Sequence, residues 1–171
     1  MKRIVLTGAE STGKSTLASA LSGYYGEPWT GEFVRHYVDQ VARELKQDDL
    51  EPIAQGQLAM EDAALKNATR LVIHDTNIFS SILYANHYFG ATLDWVNDRF
   101  LQRDYTLYLL CMPDIPWVPD NGQRESPETR DKLHQIFKDG LDKLNLPYVE
   151  ISGDNAARFH SAVTAIARVV A

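Results

Sequence analysis

Residues 7–16, Thr7-Gly8-Ala9-Glu10-Ser11-Thr12-Gly13-Lys14-Ser15-Thr16, fit the pattern G-x-x-x-x-G-K-[ST]. That pattern has mechanical meaning only between a strand and a helix. Here Arg3-Ile4-Val5-Leu6 is a short β-branched apolar run that reads as a buried strand, and Leu17-Ala18-Ser19-Ala20-Leu21 continues as a helix. The stretch therefore reads as a phosphate cradle. Backbone N–H groups and the positive helix N-terminus surround a β-phosphate, Lys14 reaches the β- and γ-phosphates, and the Ser15 hydroxyl joins a Mg²⁺ shell. Gly8, Glu10, Ser11, Thr12, Gly13, Lys14, Ser15 and Thr16 are the expected contacts to ATP. An ordinary glycine-rich turn would need no Lys-Ser pair.

The rest of the 171-residue chain extends this start into an alternating pattern. Trp29 to Val34 reads as a second strand ending near Glu32 to Arg35, and Tyr37 to Leu45 and Ile53 to Ala68 as two helices forming a flap-like insert. Leu71 to Asp75 is an apolar third strand ending in a carboxylate. Two helical segments follow, Asn77 to Tyr88 and Leu93 to Gln102, then a near-continuously apolar fourth strand, Tyr105 to Met112. Pro113 to Ser126 is too long and too rich in Pro and Gly for a plain connection and reads as a lid, reaching to about residue 130. Ser126-Pro127 opens an amphipathic helix, Leu146 to Ile151 is the fifth strand, and Asp154 caps a last helix with an expected buried stripe of Phe159, Val163, Ile166 and Val170. The expected fold is α/β: a P-loop NTPase of nucleoside/nucleotide-kinase type, one domain over residues 1–171, with a mostly parallel sheet of about five strands flanked by helices.

In such sheets ligands sit beyond the carboxyl ends of the strands, which nominates further residues. Asp75 is expected to complete the Mg²⁺ shell with Ser15, the alternative being an N-cap on the next helix. Glu32 is expected to orient an acceptor hydroxyl or take its proton, the alternative being a surface pair with Arg35. Arg124 in the lid would supply charge to the transferring phosphoryl group; Arg130 either joins it or is a solvated helix charge. Trp117 is either an aromatic wall for a flat substrate or an anchor closing the lid. By fold analogy the nucleotide base rests against residues 153–158, Asn155 among them.

Composition narrows the class. A net charge of −6 argues against a broad nucleic-acid surface, and no apolar run approaches a membrane span. Met1-Lys2-Arg3 leads directly into the first strand, so no signal peptide is expected, and the single cysteine, Cys111, lies in an apolar run. The expected compartment is the reducing cytosol. The five His residues lack metal-site spacing, and no Asn-Lys-x-Asp guanine signature is present.

Five blocks together resemble the ribosylnicotinamide kinase domain of the NadR family, within the AAA-like P-loop ATPase group. They are Gly8 to Leu17, Glu32-Phe33-Val34-Arg35-His36-Tyr37-Val38, Asp75-Thr76-Asn77, Pro116-Trp117-Val118-Pro119-Asp120-Asn121-Gly122-Gln123-Arg124, and Tyr148-Val149. The resemblance implies ATP-dependent phosphorylation of the 5′-hydroxyl of nicotinamide riboside to nicotinamide mononucleotide. It implies substrate contacts at Glu32, Arg35, Tyr37, Asn77, Trp117 and Asp120. A pyridinium ring could be held by Trp29, Tyr37, Trp95 or Trp117 with Asp120 as counter-charge. The family's third-strand motif is commonly Asp-Thr-Asp, so Asn77 is a departure. Fuller members carry adenylyltransferase and sometimes DNA-binding domains, which are not expected within 171 residues. Phosphorylation of another nucleoside or nucleotide, or a nucleotide switch without an acceptor, are the alternatives.

Overall fold

The computed structural model describes residues 1–119 and 126–171. A parallel five-stranded sheet has the order β2-β3-β1-β4-β5, formed by β1 (Lys2–Thr7), β2 (Trp29–Thr30), β3 (Leu71–Asp75), β4 (Leu107–Cys111) and β5 (Tyr148–Ile151). Around it lie α1 (Lys14–Tyr25), α2 (Phe33–Val41), α3 (Leu50–Leu65), α4 (Ile78–Phe89), α5 (Asp94–Leu101), α6 (Pro127–Lys143) and α7 (Asn155–Val170), with a short 3-10 turn at Gln47–Asp49.

Side-chain alternation along β1 explains the two layers. Ile4 and Leu6 face one way, into a core built with Leu17, Ala18 and Leu21 of α1 and Ala162, Ala165 and Ile166 of α7. Val5 faces the other way, toward Ala54 and Leu58 of α3, Phe79 of α4, Phe100 of α5 and Phe137 of α6. Because both faces are covered, β3 and β4 are buried at every position. The register Leu6↔Asp75 puts the carboxylate of β3 beside the end of the P-loop strand.

Three expectations change. The second strand is only two residues long; the chain turns at Gly31, and Glu32 occupies the N-cap position of α2 instead of a strand end. Helix α2 accordingly starts at Phe33, four residues before the expected Tyr37. On α7 the buried residues are Arg158, Ala162, Ala165 and Ile166, while Val170 is exposed. Phe159 and Val163 pack against the same core but are only partly buried. Other caps match their residues: Asn77, Ser126 and Asp154 accept from the backbone N–H groups of Phe79, Thr129 and Ala157.

Candidate active site

The P-loop bends around a carbonyl turned inward. Thr12 Oγ1 and Lys14 Nζ both donate to the Ala9 oxygen, at 2.8 and 2.6 Å. Gly8 has φ +127, and a Cβ there would meet the Cys111 carbonyl at 2.9 Å; Gly13 has φ +79 at the N-cap of α1. Both positions demand the missing side chain.

Two arginines brace the outer side of the same loop. Arg130 is buried; its Nη1 donates to the Ser11 and Ile115 carbonyls at 3.2 and 2.9 Å and its Nη2 to that of Pro113. A solvated helix charge is therefore the wrong reading of Arg130. Arg158 is 2% exposed and donates to the carbonyls of Thr12, Gly153 and Met112 and to the Asp114 carboxylate. With Ser11 and Thr12 carbonyls held by these cations, the loop's N–H groups are left to face the space over α1. Asn155 is exposed at the first turn of α7, next to Gly153.

Inside the loop, Ser15 Oγ donates to Asp75 Oδ2 at 2.5 Å, while Asp75 Oδ1 is buried without a hydrogen-bond partner. A buried carboxylate oxygen without a donor is costly unless a cation completes it. Burial and the neighbouring Glu32 push the Asp75 carboxyl above its ordinary range, against the opposing effects of Lys14, Ser15 and Arg35. Lys14 stays protonated: burial works against its charge, but Glu32, Glu10 and Asp75 outweigh it and raise its pKa. The cap of α4 is Asn77 and not Asp75, so the carboxylate is not spent on the helix.

Beside these groups opens a cavity of about 700 Å³, set between the α2–α3 insert and helices α4 and α5. Its polar mouth includes Glu10, Glu32, Arg35 and Thr76; Val38, Ile53, Ala54, Leu93 and Val96 form apolar walls, and Tyr84, Tyr88 and Phe89 supply the aromatic rings. Glu32, with a side chain 6% exposed, accepts from Arg35 Nε at 2.8 Å. The pair expected on the surface thus exists, yet its carboxylate is buried at the cavity mouth. Arg35 also approaches Glu10 at 3.5 Å, and Tyr84 donates to Glu10 at 3.3 Å. Burial opposes the Arg35 charge, but the hydrogen bond and charge of Glu32, with Glu10 and Asp75, hold its pKa above the ordinary arginine value.

Other nominated residues lie elsewhere. Tyr37 is not among the lining residues; its hydroxyl donates to Asp49 at 2.7 Å, and Asp49 also takes two bonds from Arg43. Asn77 is fully buried, accepting from Phe79 N and donating to the Tyr108 hydroxyl at 3.0 Å, so one end of its amide caps α4 and the other ties that helix to β4. Trp29 and Trp95 do not line the cavity. Trp117 is half-buried with an unpartnered buried Nε1, and its neighbour Val118 is tied by its N–H to Ser11 Oγ at 3.1 Å, so this part of the expected lid lies against the P-loop. Asp120 and Arg124 fall outside the described residues.

The sequence reading missed Gln57, Ser80, Thr76, Tyr84 and the clamp made by Arg158. A signal for the first was present: polar Gln57 and Glu61 fall on the spacing of the buried α3 stripe, between Ile53 and Ala64.

The P-loop, the Ser15–Asp75 pair and the sheet order lead to comparison with known proteins. A sequence model described as "AAA domain" matches residues 3–158. The chain belongs to the AAA domain family. The trifunctional NAD biosynthesis/regulator protein NadR of Escherichia coli (strain K12) is 26% identical over 163 residues, 91% of this chain and 39% of that protein. The NadR of Salmonella typhimurium is 27% identical over 168 residues, 93% of this chain and 40% of that protein. This AAA domain therefore spans about two fifths of the length of these relatives. The solved structure of NadR protein in complex with NR superposes with a TM-score of 0.83 at 22% identity, covering 99% of this chain and 49% of that one. At that identity the likeness establishes the fold, a P-loop fold of nucleoside- and nucleotide-kinase type.

Proposed function

We propose that this domain transfers the γ-phosphoryl group of ATP to the 5′-hydroxyl of nicotinamide riboside, giving nicotinamide mononucleotide. The observation that carries the reading is the cavity of about 700 Å³ opening directly beside the Lys14–Ser15–Asp75 group, with Glu32 at the junction. A switch that only binds and releases nucleotide has no need of such a cavity. The likeness to NadR supports nicotinamide riboside as its occupant.

The chain's residues divide the work. Backbone N–H groups of the P-loop and Lys14 hold the phosphates, while Arg130 and Arg158 keep the loop's carbonyls turned away from them. The orphaned Asp75 Oδ1 and the Ser15 hydroxyl fit a hard cation, and Mg²⁺ bound there would neutralise charge on the phosphates. Glu32 holds the acceptor hydroxyl in line and accepts its proton as the oxygen bonds to phosphorus and ADP departs. Arg35 holds the Glu32 carboxylate in place through its Nε hydrogen bond, and Arg124 would reach the transferring group from the lid.

Coupled ADP-release kinetics with a panel of nicotinamide riboside, uridine, thymidine and adenosine test the assignment. Nicotinamide riboside should raise turnover well above the rate without acceptor. A larger response to another nucleoside would reassign the substrate, and no response to any of the four would reject the acceptor site.

A further inference from the structure

The apolar cavity contains two polar groups with nothing to bond. Gln57, 3% exposed, accepts at Oε1 from the Phe33 backbone N–H at 3.2 Å, but its Nε2 is buried without a partner. The orientation of the amide is fixed, since the reverse would set an NH₂ against the Phe33 N–H. Phe33 is itself held where it is: its ring lies so close over Gly56 that a Cβ there would come within 2.1 Å of it. Ser80, 5% exposed on the first turn of α4, likewise has a buried Oγ without a partner. Both residues line the cavity, one from α3 and one from α4. A buried N–H and hydroxyl left unpaired carry a desolvation cost that a ligand with complementary groups removes.

We propose that Gln57 and Ser80 form a specificity site that reads a neutral carboxamide-type substituent on the ring of the acceptor. Gln57 Nε2 can only donate, so it takes the carbonyl oxygen; the Ser80 hydroxyl can accept and takes the amide N–H. An apolar pocket alone discriminates weakly between rings of similar size, whereas a site built to hydrogen-bond a substituent rejects a ring lacking it, because its own polar groups then stay unpaired. The site thus selects a carboxamide-bearing ring over a bare ring, and over a carboxylate because the apolar walls around Gln57 and Ser80 penalise burying its charge. This inference rests on the reading of the cavity as the acceptor site.

Steady-state kinetics on the full chain test it with nicotinamide riboside, N-ribosylpyridinium and nicotinic acid riboside. The wild-type kcat/KM should favour the carboxamide over the bare ring by about tenfold or more. Gln57→Leu should collapse that ratio toward one, mainly through KM for nicotinamide riboside, and Ser80→Ala should shrink it in the same direction with a much smaller change in volume. A purely structural role for Gln57 would slow both ribosides equally and leave the ratio at its wild-type value; that result overturns the proposal. A wild-type enzyme that phosphorylates both ribosides equally well also overturns it while leaving the proposed function standing. If the wild type phosphorylates none of the three, the proposed function fails, and this inference with it.

Discussion

Asp75 is the side chain whose environment says most. One oxygen is bonded to Ser15, the other is buried and unpartnered, and burial raises its pKa. Asp75→Asn keeps the volume and removes the anionic oxygen proposed to hold the cation. Turnover should fall by about a hundredfold or more, and the gain in ATP affinity on adding Mg²⁺, read by calorimetry with and without the metal, should shrink. An unchanged Mg²⁺ dependence would take Asp75 out of the metal site. Glu32 differs in kind, because its carboxylate stands at the cavity mouth and not on the phosphates. Glu32→Gln should lower kcat by roughly 10²–10⁴-fold, the range for a general base, while sparing ATP affinity; a wild-type kcat would leave it only the ion pair with Arg35.

The α2–α3 insert shows how one close contact can govern several site residues. Phe33 rests on Gly56, its N–H fixes Gln57, and the residue before it is Glu32. Gly56→Ala would force the ring away and displace the first turn of α2. It should destabilise the protein by about 1–3 kcal/mol and raise KM for the acceptor more than KM for ATP. Thermal denaturation together with the two KM values checks this, and equal changes in both KM values would contradict it. The contact also marks where sequence reading stops. Local chemistry spelled out the P-loop, the apolar run ending at Asp75 and the Ser126 and Asp154 caps, since each depends on neighbours within a few residues, whereas the cap of α4 fell to Asn77 and not to Asp75. The end of β2 was not legible, because a two-residue strand is defined by its pairing with Ile73 and His74 and not by its own composition. Nor was the displacement of Tyr37 onto Asp49, or the grip of Arg158 on a loop 146 residues away. Such contacts are made only when distant segments meet.

For the molecule as a whole, a buried carboxyl group on α3 sets a pH dependence of stability. Glu61 is fully buried on α3 and accepts from the Tyr105 hydroxyl at 3.0 Å; burial lifts its carboxyl to about 7 from 4.5, against the pull of Arg103, Tyr105 and Arg3. Because the folded value lies above the unfolded one, no cost is present below about pH 4.5. It grows as pH rises, as the unfolded chain ionises while the folded chain holds its proton, and it is complete above about pH 7. Its full size is on the order of 3 kcal/mol. Glu61→Gln keeps an acceptor for Tyr105 and removes the titration. The difference in Tm between variant and wild type should therefore widen in the variant's favour from pH 5 to pH 8, and a constant difference would contradict the effect. The same architecture, a parallel sheet with the phosphate loop at the end of β1 and the cavity under the insert, is what the proposed two-substrate reaction would use at the end of β3.

The most direct measurement of that two-substrate site follows the fate of the γ-phosphate. Wild-type protein is incubated with γ-labelled ATP, Mg²⁺ and nicotinamide riboside, and the products are separated. Label should appear in the riboside as its 5′-phosphate in step with ADP formation, and should vanish from it in Lys14→Ala. Label recovered only as free inorganic phosphate, at a rate indifferent to the riboside, would contradict an acceptor site beside the P-loop.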